Sequence, residues 1–193
     1  MREPRLNDVI EHPPSAPARW ARLTERELVW CVQFQQTVRH RAVVRLFAVV
    51  SRLGDGLFWY ALMAVLLLTQ GVAAAPVVGR MLLAGAVCLA LYKLLKAQTT
   101  RPRPCARHDH IQPRVAPLDQ YSFPSGHTLH AVAFTLIAVH GYPALAWVLL
   151  PFALLVALSR VVLGLHYPSD VLAGALLGAS LALLALHAPF IQV

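Results

Sequence analysis

The pattern of apolar and polar positions divides the chain into a polar beginning, a mixed stretch and a series of long apolar runs separated by short polar turns. Residues 1–22 carry Pro4, Pro13, Pro14 and Pro17 among charged and polar side chains, the composition of a flexible tail. Residues 23–53 mix apolar residues with arginines at helical spacing. Arg39, Arg41 and Arg45 would be costly in a bilayer core, so this stretch is read as an amphipathic helix lying in the interface; a solvated helix packed on the protein would show the same pattern. From Gly56 to Gly79, and again from Gln120 to Ser159, no Asp, Glu, Lys or Arg occurs. Such runs approach or exceed the roughly 20 residues of a membrane span.

Within residues 54–193 five spans are predicted. The first runs from about Gly56 to Gln70, and the second from Pro76, a favoured first-turn residue, to about Lys96. A polar loop, Gln98–Phe123, follows and is long enough to be suspected of function. The third span begins at about Gly126 and is broken by Gly141 and Pro143. The fourth runs from Pro143 to about Leu163 with a kink expected at Pro151, and the fifth from Ser169 to Leu186. Gly174 and Gly178 in the fifth form a GxxxG pair, which permits close helix packing without naming a partner. Five spans put the end of the second, the start of the third, the end of the fourth and the start of the fifth on one membrane face.

Composition agrees with this reading: of 193 residues, 58% are hydrophobic and only 13% charged, so an all-α polytopic membrane helix bundle is expected. The net charge of +8 is placed unevenly, with nine arginines between Arg2 and Arg52 and six basic residues between Lys93 and Arg114. Clusters of this kind suit lipid headgroups or phosphates; no soluble domain remains to bind nucleic acid. Cys31, Cys88 and Cys105 have no paired spacing and imply no disulfide framework. The first residues lack an apolar core after their basic side chains and do not read as a cleavable signal peptide. Arginine density in the tail and loop points their face inward by the positive-inside rule.

Three polar pieces interrupt the apolar pattern on the shared face. They are "KAQTTRPRP", with Lys96 and, after six residues, Arg103; "PSGH", Pro124 to His127; and "SRVVLGLHYPSD", with Ser159, Arg160, His166 and Asp170. In order and internal spacing they resemble the three signature motifs of the type 2 phosphatidic acid phosphatase superfamily, whose site is similar to those of glucose-6-phosphatases and vanadium haloperoxidases. The "SRLGDG" segment, Ser51 to Gly56, also looks like bacterial membrane members.

The resemblance implies a lipid phosphatase that uses no metal or other cofactor, in an integral membrane protein of the bacterial cytoplasmic membrane. Lys96, Arg103 and Arg160 would bind the phosphoryl oxygens, helped by the Ser125 hydroxyl and the Gly126 amide at a helix N-terminus. His166 would be the nucleophile, oriented by Asp170 four residues on and passing through a phosphohistidine, with His127 as general acid and then base. Candidate substrates are phosphatidate, phosphatidylglycerophosphate and polyprenyl diphosphate. Arg101, Arg107 and Arg114 exceed what one phosphate needs, which leans toward a diphosphate or multiply charged headgroup. The expected partners are this lipid and the surrounding membrane lipids. Family members often present the site outside the cytoplasm, which conflicts with the inward-pointing arginines. Rival readings are a non-catalytic lipid-phosphate binding or transport protein and a vanadate-dependent haloperoxidase. "RHDH", Arg107 to His110, falls short of a metal ligand set. His130 lies one helical turn after His127, on the same face.

Overall fold

The computed structural model describes residues 18–187, except 39, 108–110, 112 and 118. The described residues form helices: α1 (Ala18–Thr37), α2 (Arg41–Leu53), α3 (Leu57–Gln70), α4 (Ala75–Thr99), the short α5 (Pro104–Arg107), α6 (Gly126–Gly141), α7 (Ala146–Val162) and α8 (Pro168–His187). Single 3₁₀ turns, Gly71–Ala74 and Pro143–Leu145, lead into α4 and α7. Residues 23–53, expected as one helix, are two, and α1 begins at Ala18, inside the stretch read as a tail. The break has a tertiary cause. Arg114 donates from Nη1 to the Val38 carbonyl at 2.7 Å and from Nη2 to the Gln35 carbonyl at 3.0 Å, satisfying carbonyls that end α1.

Helix α6 is apolar over most of its surface and is the central element. It packs along α8 and against α4 and α7, while α2 lies on α7. Leu129, Ala131, Ala133, Ile137 and Ala138 are buried by these neighbours. The outer faces are also apolar: Leu68, Leu83, Trp147, Leu154, Leu176 and Leu184 are exposed. A water-facing protein hides such residues, whereas a bilayer accepts them. By length and composition, Leu57–Thr99 (α3 and α4 together), Pro143–Val162 and Pro168–His187 can cross a membrane. With these apolar faces the chain is an integral membrane protein. Helices α3, α4, α6, α7 and α8 lie at the five expected apolar stretches. Helix α7 runs on through Pro151.

The GxxxG pair works inside the molecule. A Cβ on Gly174 would sit 2.6 Å from the Ser125 carbonyl oxygen, and one on Gly178 closer still to that of Leu129. Between apolar helices in lipid no hydrophobic force drives association, so this backbone contact and its packing fix the α6–α8 distance. The same approach lets the Ser125 amide donate to the Asp170 carbonyl at 3.0 Å. Gly178→Ala is expected to lower stability by about 1–3 kcal/mol, read as a fall in unfolding temperature in detergent. Gly174→Ala should in addition displace the Ser125 backbone; unchanged stability in both would contradict the contact.

Candidate active site

The ends of four helices and the 100–125 segment meet at one end of the bundle. Helix α4 brings Lys96 in its last turn, α7 brings Arg160 in its last turn, and α6 starts with Gly126 and His127. The turn between α7 and α8 carries His166, and α8 begins with Asp170 in its first turn. The segment after α4 is tied down where the Ser122 amide donates to the Arg101 carbonyl at 2.8 Å and Pro102 bridges Tyr121. Lys96, Arg103, Arg160, His127, His166 and Gly126 thereby line one cavity of about 790 Å³.

His166 is buried, and its Nδ1 lies 2.7 Å from the Ser122 carbonyl oxygen. A carbonyl can only accept, so Nδ1 carries the proton and Nε2 keeps its lone pair. Burial, then the charges of Arg160, Arg103 and Lys96, hold the ring's pKa well below the ordinary histidine value, so it is neutral. Asp170 was expected to orient this ring, but its Oδ2 stands 3.7 Å from Nδ1, beyond a hydrogen bond. Instead Asp170 accepts from the Tyr167 amide at 2.9 Å and from Arg101 Nη1 at 2.6 Å. The ring's orientation comes from a backbone carbonyl; Asp170 shapes the turn that presents the ring.

The cations differ in their partners. Arg103 donates from Nη1 to the Leu165 carbonyl at 2.7 Å and lies 3.2 Å from His166 Nε2. Its Nη2 donates to Asp119 Oδ1 at 2.7 Å, and Lys96 Nζ reaches the same carboxylate at 2.6 and 2.8 Å. Burial works to raise the Asp119 pKa, but the Lys96 hydrogen bond and charge, followed by Arg103, hold it below the usual carboxylate range. Arg160 is buried, donates to the Ser51 hydroxyl, and has an Nε with no hydrogen-bond partner. No carboxylate among the described residues forms an ion pair with it.

His127 Nε2 meets Asp55 Oδ1. Burial of Asp55 raises its pKa less than the His127 hydrogen bond and charge, then Arg160 and Arg52, lower it, so it is ionised. The Ser125 hydroxyl pairs with that of Thr128 at 2.9 Å, and Ser125 does not line the cavity; of the PSGH donors, the Gly126 end faces it. His130 lies 2.8 Å from the Gly126 carbonyl oxygen and 3.3 Å from that of Gly85, joining α6 to α4 at the cavity wall. Two of the surplus arginines have internal work: Arg114 ends α1, and Arg101 binds Asp170 and Glu27. The histidines and aspartate of "RHDH" lie outside the described residues.

Comparison with known proteins gives this arrangement a family. The model of the PAP2 superfamily matches residues 59–192. The chain belongs to that superfamily. A PAP2-type phosphatidylglycerolphosphate phosphatase from Bacillus subtilis superposes with a TM-score of 0.64 at 25% identity, covering 88% of this chain and 85% of the other. LpxE from Aquifex aeolicus gives 0.67 at 25% identity, covering 82% and 93%. In sequence, a lipid A 1-phosphatase of Rhizobium johnstonii is 37% identical over 49% of this chain and 40% of its own. A decaprenylphosphoryl-5-phosphoribose phosphatase of Mycobacterium tuberculosis is 42% identical over 51% and 55%. The chain thus spans about half the length of these curated relatives.

Sequence reasoning missed the acidic partners of this PAP2 site. Asp55 and Ser51 lie in "SRLGDG", noticed as a segment but given no role, and Asp119 is one of two acids in a basic loop. Glu27 gave no signal: Thr24, Glu27, Cys31 and Gln35 form a buried stripe on α1, and such a polar stripe reads as a solvated face. Glu27 Oε2 accepts from Arg101 Nη2 at 2.7 Å and from the Ser169 hydroxyl at 2.8 Å, and Oε1 from the Ser169 amide at 2.6 Å. It locks α1 to the start of α8. Glu27→Ala strands part of a buried charge network and is expected to cost about 3–5 kcal/mol, measured by denaturation in detergent. Arg101→Met strands both Glu27 and Asp170, and the double variant Arg101→Met with Glu27→Ala should cost less than the sum of the two single losses; simple additivity would contradict the pairing.

Proposed function

We propose that this chain is a metal-independent phosphatase that cleaves the phosphate of a lipid phosphate monoester or diphosphate within the bacterial cytoplasmic membrane. The observation that carries the reading is Arg160: a buried guanidinium without a carboxylate partner among the described residues, facing a cavity beside a neutral histidine. A buried charge of this kind calls for an anion. The same cavity continues between α3 and α4 past Trp59, Met63, Met81 and Phe134. Along α4 its edge is the exposed row Leu82, Ala86, Leu89 and Lys93. From Lys96 to Met81 the helix rises about 22 Å, the scale of an acyl or prenyl chain. A charged end joined to an open apolar groove supports a lipid substrate over a soluble one.

In the proposed mechanism the phosphate of the lipid lies against Lys96, Arg103 and Arg160, which meet the charge on its oxygens. His166 Nε2 attacks phosphorus, the bond to the lipid oxygen breaks, and His127 gives its proton to the departing alkoxide. Water then attacks the phosphohistidine while His127 takes a proton, releasing inorganic phosphate and restoring the ring. Asp55 holds His127 for both steps. Relatives are named for lipid A 1-phosphate, decaprenylphosphoryl-5-phosphoribose and undecaprenyl diphosphate, which supports the lipid class and leaves the headgroup open. The surplus arginines do not favour a diphosphate, because Arg101 and Arg114 are held by internal partners.

Two outcomes are expected. His166→Ala abolishes turnover and the acid-labile phosphoenzyme for every substrate. His127→Ala still forms phosphoenzyme from p-nitrophenyl phosphate, whose leaving group needs no proton, but loses about 10²–10⁴-fold on a lipid phosphate. Rapid-quench labelling with folded variants checks both; labelled His166→Ala, or equal losses on the two substrates for His127→Ala, would reverse the assignments. Activity is also expected to persist in excess EDTA and to be blocked by vanadate, a mimic of the transferring phosphoryl group. Loss on chelation that magnesium restores would overturn the mechanism.

A further inference from the structure

Resting on the phosphatase reading, we infer that Asp119 is a specificity-determining carboxylate that stands in for substrate on Lys96 and Arg103 and yields to a dianionic phosphate monoester but not to a singly charged phosphodiester. Both of its oxygens are within 2.8 Å of Lys96 Nζ, and Oδ1 also accepts from Arg103. Arg103 has five N–H groups, and four are engaged: by the Asp119 carboxylate, the Asp119 carbonyl at 2.8 Å, the Leu165 carbonyl and His166 Nε2. Lys96 and Arg103 are therefore already satisfied, and the lone pair of the nucleophile is covered by an Arg103 donor. Lys96 and Arg103 are buried, while the Asp119 side chain keeps 36% of its exposure. The carboxylate is the one member of the trio with somewhere to go.

Displacing it has a definite cost. An anion that takes the two cations must outbid an ionised carboxylate already in place, and then separate from it, since the two negative charges repel. A monoester dianion brings two charges and three terminal oxygens, enough for Lys96, Arg103 and Arg160 together, the last having no carboxylate ion pair among the described residues. A phosphodiester brings one charge and two free oxygens. The membrane around the site is made largely of such diesters, so a carboxylate that sets a threshold rejects the abundant wrong anion; discrimination by an opposing element is as effective as added attraction. As Arg103 turns to the phosphate, it also leaves His166 Nε2 free to attack.

The test compares wild type, Asp119→Asn, Asp119→Ser and Asp119→Glu in detergent micelles with p-nitrophenyl phosphate. Inorganic phosphate should inhibit both neutral variants at concentrations about tenfold lower than wild type, while Asp119→Glu stays near wild type. Dioleoyl phosphatidylglycerol in the micelles, a diester, should inhibit the neutral variants and leave wild type unaffected. Phosphate should also raise the unfolding temperature of Asp119→Asn more than that of wild type. Weaker or equal phosphate inhibition of both neutral variants overturns the inference. So does failure of both to fold with phosphate present, which would make Asp119 a fixed structural counter-ion. A wild-type protein that neither binds phosphate nor hydrolyses its esters overturns the phosphatase reading itself.

Discussion

The contact on which the site depends is the backbone approach of α8 to α6 at Gly174 and Gly178. It sets the Ser125 amide against the Asp170 carbonyl, and that bond places the PSGH piece beside the turn that presents His166. A side chain on either glycine would open the interface by the thickness of a methyl group. In the proposed reaction, which needs a nucleophile, a proton donor and three cations within a few ångströms of one phosphorus, a displacement of that size is large. The GxxxG pair therefore helps to place the residues of the proposed chemistry, although neither glycine lies in the cavity lining.

The buried charges fall into two sets. Arg101, Glu27 and Asp170 form a closed set in which each charge has opposite neighbours at 2.6 and 2.7 Å, binding α1, the 100–125 segment and α8. The Tyr167 ring lies under the Arg101 guanidinium at 4.1 Å. The second set faces the cavity, and its balance is incomplete: Asp119 serves two cations and Asp55 serves His127, while among the described residues Arg160 has only a hydroxyl. A charge count alone would treat Arg101 and Arg160 alike. Their surroundings separate a fastener from a receptor.

Much of this was legible in the sequence, for physical reasons. Charges are scarce in apolar helices, so Lys96, Arg160 and the histidines stand out, and internal spacing gave them an order. Long apolar runs marked α3, α4, α6, α7 and α8. What escaped was decided by partners far along the chain. Residues 23–53 keep a helical pattern throughout, and Arg114, some 75 residues away, takes the carbonyls at the end of α1. The spacing of His166 and Asp170 suggested a side-chain bond one helical turn long, but α8 starts between them at Pro168, and Asp170 turns to Arg101 instead. Asp119 looked like an acid lost among basic residues because nothing local shows what it neutralises.

The groove between α3 and α4 meets the ionic site at one end and the apolar outer surface along its length. The two products of a hydrolysis there would part in different directions, the dephosphorylated lipid sideways between the helices and the phosphate past the charged end. Neither product obstructs the other's departure. Traffic on the lipid side is then governed by the mole fraction of lipids in the plane, and on the ionic side by the composition of the water, so a single protein answers separately to two phases.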